Sequence, residues 1–457
     1  MTDIQQVIPS ARSSGRGFHA YSAKHLDMLV QRAGLAPDER LAVRAVAAVL
    51  PFRTNAYVIE NLIDWDAAPD DPIYRLVFPQ PDMLPAADVQ RLAQLIDTGA
   101  PDAALRAAAH EVRMRLNPHP AGQLLLNAPS LHGRPLPGLQ HKYPETVLFF
   151  PRQGQTCHAY CTYCFRWAQF VDEPDLKMAT DDVAGVVGYL RAHPEVTSVL
   201  ITGGDPMIMG SVVLRRYVEP LLNSGLDHLE SIRIGTKSLA YWPQRFVTDP
   251  DADDTLRLFE EVAATGRNLA LMAHFSHPRE MEPALVGEAV SRIRSAGGVI
   301  RTQAPLIRTI NDDAGTWATM WRTQLRMGMV PYYMFVERDT GPQGYFAVPL
   351  ARAAEIFRDA YSSVSGLCRT VRGPSMSATP GKVCVDGVAE VAGEKVFVLH
   401  MIQARDPSLV GRPFFARYDP RAVWLSDLEP AFAARFPFEE MPTEPPGLWE
   451  DLLLAAD

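Results

Sequence analysis

From Ser22 to about Leu116 apolar residues recur at three- and four-residue intervals, as in Ala87–Ile96 and Ala103–Val112. This spacing predicts amphipathic helices. Between Asn117 and Pro144 the period disappears into Pro, Gly and His, so a loop-like connection is expected there. The pattern then changes to short apolar runs. Thr146–Phe150, Ser198–Thr202, Ser231–Gly235, Leu269–Ala273, Val299–Gln303 and Val330–Phe335 predict six strands. Helical stretches such as Asp181–Arg191, Asp254–Ala264 and Pro283–Ala296 separate them. Strands alternating with helices argue for a parallel sheet with crossover helices. About six such units suit a partial (β/α) barrel better than a closed eight-stranded one. After Gly366 shorter β-like segments follow, then an acidic, Pro-rich tail over Phe436–Asp457.

The expected divisions are a flexible terminus over 1–17 and a helical region with linker over 18–144. The partial barrel covers 145–350, and a small C-terminal α+β region covers 351–457. Hydrophobic residues at 47% and charged residues at 21% are ordinary for a soluble globular chain of 457 residues. A net charge of −9 gives no support for nucleic-acid binding. No apolar run reaches a membrane span, and Ser10–Gly17 lacks the apolar core of a signal peptide. A cytoplasmic protein is expected.

Three of the five cysteines, Cys157, Cys161 and Cys164, form a C-x3-C-x2-C motif just after the first predicted strand. An odd, clustered set reads as metal ligation in a reducing compartment, not as a disulfide framework. A structural zinc site needs a fourth ligand, and a [4Fe–4S] cluster usually takes four thiolates. Three cysteines therefore leave one iron open to a small molecule, and this spacing points to the radical S-adenosylmethionine (SAM) superfamily. A zinc knuckle with a distant fourth ligand is the alternative.

Around the motif lie Thr202–Pro206 with Gly203, Gly204 and Asp205, then Arg233–Lys237, His274–Pro278, Ile310–Asp313 and Pro331–Tyr333. Pro51–Asn55, Asp70–Pro72 and Pro137–Pro144 precede it. In this order, over roughly residues 50–400, the segments resemble the lysine 2,3-aminomutase family of radical SAM enzymes. The resemblance implies a radical SAM barrel and three cofactors: a [4Fe–4S] cluster on the three cysteines, SAM, and pyridoxal 5′-phosphate. Gly203, Gly204 and Asp205 would hold the methionine amino group. Arg233 and Lys237 would suit its carboxylate. His274 and Gln303 would lie at strand ends facing the cofactors.

Lys382, in Ser377–Lys382, matches the family's pyridoxal lysine, although the usual glycine run is reduced to Gly381. Lys142 and Thr146 stand where the family has phosphate-binding arginines. Arg166 matches the residue pairing with the substrate α-carboxylate, a task suited to a planar fork. The implied reaction moves an amine from C2 to C3 through a radical generated from SAM, with the amine carried on the pyridoxal imine.

Two positions depart from lysine-specific members. Arg338 and Ser375 replace the carboxylates that hold the distant ammonium. The expected substrate therefore has an acidic or neutral polar side chain, glutamate being the type. Lysine itself, or a pyridoxal-independent radical reaction, are the alternatives. Partners implied are a small amino acid and a one-electron reductant such as flavodoxin or ferredoxin. A homo-oligomer is expected without the interfacial zinc of some relatives, because Cys368 and Cys384 are too few and too far apart.

Overall fold

The computed structural model describes residues 17–439 except 125, 172, 174 and 175. Residues 1–16 of the flexible terminus read over 1–17, and the tail beyond 439, lie outside the described residues.

The N-terminal region is helical, as the periodicity implies, with helices at Leu26–Arg32, Pro37–Val49, Ala56–Asn61, Pro72–Val77, Ala86–Asp97 and Asp102–Arg115. A short antiparallel ribbon joins β1 (Ala20–Ser22) to β2 (Arg53–Asn55). Two buried polar residues fasten this region to the rest. The Asn55 side chain caps one helix by accepting from Val58 N at 3.0 Å. Its amide also donates to the carbonyls of His158 (3.2 Å) and Tyr241 (2.9 Å). Asp71 caps the helix Pro72–Val77 through Tyr74 N at 2.8 Å and pairs with Arg279.

After a second ribbon, β3 (Ser130–Leu131) with β4 (Arg134–Pro135), one mixed sheet of eleven strands follows in chain order. They are β5 (Leu139–Tyr143), β6 (Thr146–Phe149), β7 (Ser198–Ile201), β8 (Ser231–Thr236), β9 (Asn268–His274), β10 (Val299–Leu306), β11 (Val330–Val336), β12 (Arg372–Ser377), β13 (Gly381–Val391), β14 (Glu394–Ala404) and β15 (Pro413–Arg417). The six expected strands are β6 to β11, and each pairs parallel with the next.

Two expectations are corrected. The stretch 117–144 is not all loop, because β5 forms by antiparallel pairing with β6. The C-terminal strands extend the same sheet: β12 pairs parallel with β11, and β13 to β15 add antiparallel strands. Closure into a barrel is not made by strand pairing, since β5 and β15 are the two edges. Side chains alone reach from one side of the sheet to the other. Gln403 of β14 donates to Glu145 Oε1 at 2.5 Å, and Lys142 of β5 donates to the carbonyl of Ala378.

Strand alternation separates the two faces. In β8, Ile232, Ile234 and Thr236 are buried while Arg233 and Gly235 are partly exposed. The apolar residues of this kind, with Val147, Val199, Leu271 and Ile300 of neighbouring strands, belong to the main core. The other face lines a cavity. A second core around Val383, Leu399, Phe397 and Trp424 supports the C-terminal hairpin. Among the described residues no helix is long and apolar enough to cross a membrane.

Candidate active site

The cavity has a volume of about 560 Å³ and is lined by residues from every strand between β5 and β14. The cysteine loop forms one end and Lys382 the other.

Backbone bonds from the helical region hold the loop in place. Tyr160 N donates to Arg53 O at 2.8 Å, and Thr162 N donates to Leu76 O at 2.9 Å. Cys157, Cys161 and Cys164 are free thiols lining the cavity. Burial raises the pKa of all three, that of Cys164 to about 12. Bound iron would supply the positive charge that makes them thiolates. The three sulfurs are not mutually within 4.8 Å, a condition that one trio elsewhere among the described residues does meet. A single tetrahedral zinc with Zn–S near 2.3 Å would hold its sulfurs about 3.8 Å apart. The loop therefore suits separate irons of one cluster better than one ion.

The Gly203–Asp205 turn packs directly on this loop. Gly203 has a positive φ of 141°, and a Cβ there would strike the Gln155 side chain. A Cβ on Gly204 would strike the Thr156 backbone. Asp205 N donates to Thr156 O at 2.7 Å. The Asp205 carboxylate is already engaged: it accepts from Thr236 Oγ1 (2.7 Å), Lys237 N (2.8 Å) and Met207 N (2.9 Å). Asp205, which also lines the cavity, thereby ties the turn to the end of β8.

Lys237, which lines the cavity, is engaged within the protein as well. Its Nζ lies 2.7 Å from Glu280 Oε1, and that carboxylate is fully buried. Breaking a buried pair from one side leaves an uncompensated ion, costing about 3–5 kcal/mol. Lys237→Met should therefore lower unfolding stability in urea by about 3 kcal/mol, whereas Lys237→Met/Glu280→Leu should recover most of it. Equal stability of Lys237→Met and the parent would refute this. Glu280 was not singled out in the sequence, because a Pro-Arg-Glu-Met turn carries no mark of its distant partner.

Arg233 lies four residues before Lys237 on β8, roughly 13 Å along the strand. It lies toward the Lys382 end of the cavity. Its Nη2 donates to Thr146 Oγ1 at 3.3 Å, and its Nε is buried without a hydrogen-bond partner.

His274 and Gln303 both line the cavity and meet there. The Gln303 amide nitrogen donates to His274 Nε2 at 2.6 Å, which places the ring proton on Nδ1. Burial, with Lys237 and Arg166 nearby, lowers the His274 pKa to about 3, so the ring is neutral.

Arg166 and Arg338 meet over one ring. Their guanidinium carbons lie 5.0 and 5.1 Å from the Phe165 centroid. Arg166 also faces Phe150 at 4.5 Å, and among the described residues no protein acceptor bonds its guanidinium. Burial lowers its pKa to about 10, so it stays charged. Arg338 Nε has no hydrogen-bond partner, and Asp339 Oδ1 is 3.7 Å away. Burial pushes the carboxyl pKa of Glu337, its other neighbour, well above the usual range, against an opposing pull from Arg338. Ser375 is corrected: it is fully buried and does not line the cavity, its Oγ facing the Met334 carbonyl at 3.5 Å. It is enclosed by pairing with both β11 and β13. Ser377 reaches the cavity instead.

At the far end Lys382 Nζ donates to Gln403 Oε1 at 3.0 Å and sits 4.3 Å from the Tyr333 ring centroid. Burial is the main cause, with Arg372 and Arg233 adding, that brings its pKa down to about 7. Lys142 lies in the same group, and burial holds its pKa well below the usual lysine value. An amine that is neutral near pH 7, among cations and beside an aromatic ring, fits a phosphorylated aldehyde.

No protein-family model matches this chain. A protein of Aquifex aeolicus named "Putative L-lysine 2,3-aminomutase" is 32% identical over 391 residues, covering 85% of this chain and 91% of the relative. The L-lysine 2,3-aminomutase of Clostridium subterminale is 28% identical over 278 residues, covering 60% and 62%. Among solved structures, a radical SAM methyltransferase from Sphaerobacter thermophilus matches with TM-score 0.35 and 14% identity, covering 62% of this chain and 93% of that one. The relationship to the Aquifex aeolicus protein makes this chain a radical SAM aminomutase, an isomerase acting with an iron–sulfur cluster and SAM. The chain belongs to the lysine 2,3-aminomutase family, whose membership implies pyridoxal phosphate as well.

Proposed function

We propose that the protein is a pyridoxal phosphate-dependent 2,3-aminomutase acting on a small amino acid with an acidic or polar side chain, glutamate being the type. The observation that supports this reading is the Arg166–Arg338 pair over Phe165, two cations facing one cavity, of which Arg338 has a long 3.7 Å ion pair with Asp339 and Arg166 has no bonded acceptor among the described residues. An amino acid with two carboxylates satisfies both. A substrate ammonium there would meet like charge in a desolvated place.

When bound, the cluster, SAM and pyridoxal phosphate supply the radical chemistry and carry the migrating amine. The chain's residues bind and position. Cys157, Cys161 and Cys164 ligate the cluster, while Gly203, Gly204 and Asp205 shape the turn beside it. His274 and Gln303 present a fixed tautomer to the adenosyl end. Arg166 holds the α-carboxylate as a bidentate fork, and Arg338 holds the side-chain carboxylate. Lys382 holds the pyridoxal aldehyde, with Lys142, Arg233 and Arg372 near its phosphate. Stacked Tyr160 and Phe170, 4.5 Å apart, help exclude water on the cluster side. In this reading the curved sheet is a partial (β/α)6 barrel extended by the C-terminal hairpin, and an external one-electron donor completes turnover.

Reversing the charge tests the substrate. Arg338→Asp should lower kcat/KM for glutamate by about 100-fold, the loss of a buried pair worth roughly 3 kcal/mol. The glutamate-to-lysine preference should fall at least as far. An unchanged preference would sink the assignment while leaving the aminomutase class intact.

A further inference from the structure

The hairpin that carries Lys382 also carries a second cluster of reactive side chains, outside the cavity lining. Cys384 and His400 stand directly opposite one another across the β13–β14 ladder. The register shifts between Val385 and Gly387, leaving Asp386 without a cross-strand partner. Such a bulge re-aims the extra residue. Here it brings the Asp386 carboxylate to 2.8 Å from His400 Nδ1. The Cys384 sulfur, an Asp386 oxygen and a His400 nitrogen all lie within 4.8 Å of one another. The aminomutase chemistry uses none of the three.

We infer that Cys384, Asp386 and His400 form a zinc site that staples β13 to β14, with a fourth position open to water. A thiolate, an imidazole and a carboxylate are the donor types zinc takes, whereas calcium and magnesium prefer oxygen alone. Four-coordinate ligands at about 2.0–2.3 Å from an ion sit about 3.3–3.8 Å apart. Burial is graded across it: Cys384 is buried, His400 half-buried and Asp386 exposed, which gives the ion a solvent entry. Without a cation, burial and the Asp386 charge hold Cys384 as a thiol. Zinc displaces that proton and turns both influences around. The staple lies two residues from Lys382 on β13 and three from Gln403 on β14, so it stiffens the strands that aim the amine.

Metal content tests the site without reference to substrate. Protein reconstituted with iron and sulfide, so that the cysteine loop is filled, is incubated with Zn²⁺, desalted and analysed for metals. A parallel sample receives Co²⁺ and is read for thiolate-to-cobalt absorbance. One retained zinc per chain is expected. Cys384→Ser and His400→Gln should each lower retention at least about tenfold, with unchanged circular dichroism. Cys368→Ser, which alters a cysteine buried elsewhere, should keep it. The cobalt band should vanish in Cys384→Ser alone among the cysteine variants. Absence of retained zinc in the parent, or equal retention in His400→Gln, overturns the inference and leaves a hydrogen-bonded trio without metal.

Discussion

Lys382→Ala should abolish the visible absorbance of bound pyridoxal phosphate and lower turnover by at least about 1000-fold. Only a primary amine can hold the aldehyde covalently and release it to a substrate amine. The environment of Lys382 prepares that amine. Burial and the charges of Arg372 and Arg233 lower its pKa to about 7, against a weaker opposing pull from Glu145. The neutral, nucleophilic form therefore prevails above about pH 7. Cofactor uptake by the apoprotein should rise through a midpoint near pH 7, where an exposed lysine would show one near 10.4. Arg372→Gln should move that midpoint upward, because one repelling cation is gone. A band that survives in Lys382→Ala with the parent's pH profile would assign the cofactor elsewhere.

Cys164→Ala should leave a folded protein with no stable cluster, no cleavage of SAM and no turnover. Three thiolates are the minimum for a cluster with one open iron, and two cannot hold it. The loop itself should persist, since its backbone bonds run to Arg53 and Leu76 and not through the sulfurs. After anaerobic reconstitution, iron should fall from about four per chain to near zero, with circular dichroism unchanged. Retention of the full iron complement would remove Cys164 from the ligand set. Burial raises the pKa of all three thiols, so reconstitution should also slow as pH falls.

Local signals carried much of the fold. The six parallel strands were legible because each is a short apolar run between helical stretches, and alternation in β8 even separates Ile232 and Ile234 from Arg233. The Cys157–Cys164 motif was legible because its meaning lies in spacing. Lys382 and Arg166 were found by resemblance, and the structure brings both to the cavity. The failures were long-range. β5 is a polar edge strand, Leu-Gln-His-Lys-Tyr, which pairing with β6 creates. Ser375 and Ser377 look equivalent in sequence, yet strands on both sides enclose the first. Lys237 read as a free cation because Glu280 is 43 residues away.

The sequence by itself determined the element order, the cysteine motif and the family, since these depend on residue type and on spacing along the chain. Only the tertiary structure decided which charges are free. Arg233 lies toward Lys382 because its position along β8 sets its depth. Asp205 and Lys237 bond within the protein, whereas Arg166 and Arg338 converge on Phe165, Arg338 with only a long ion pair to Asp339. A side chain's availability for substrate depends on burial and on partners from distant strands, and neither is written in its neighbours.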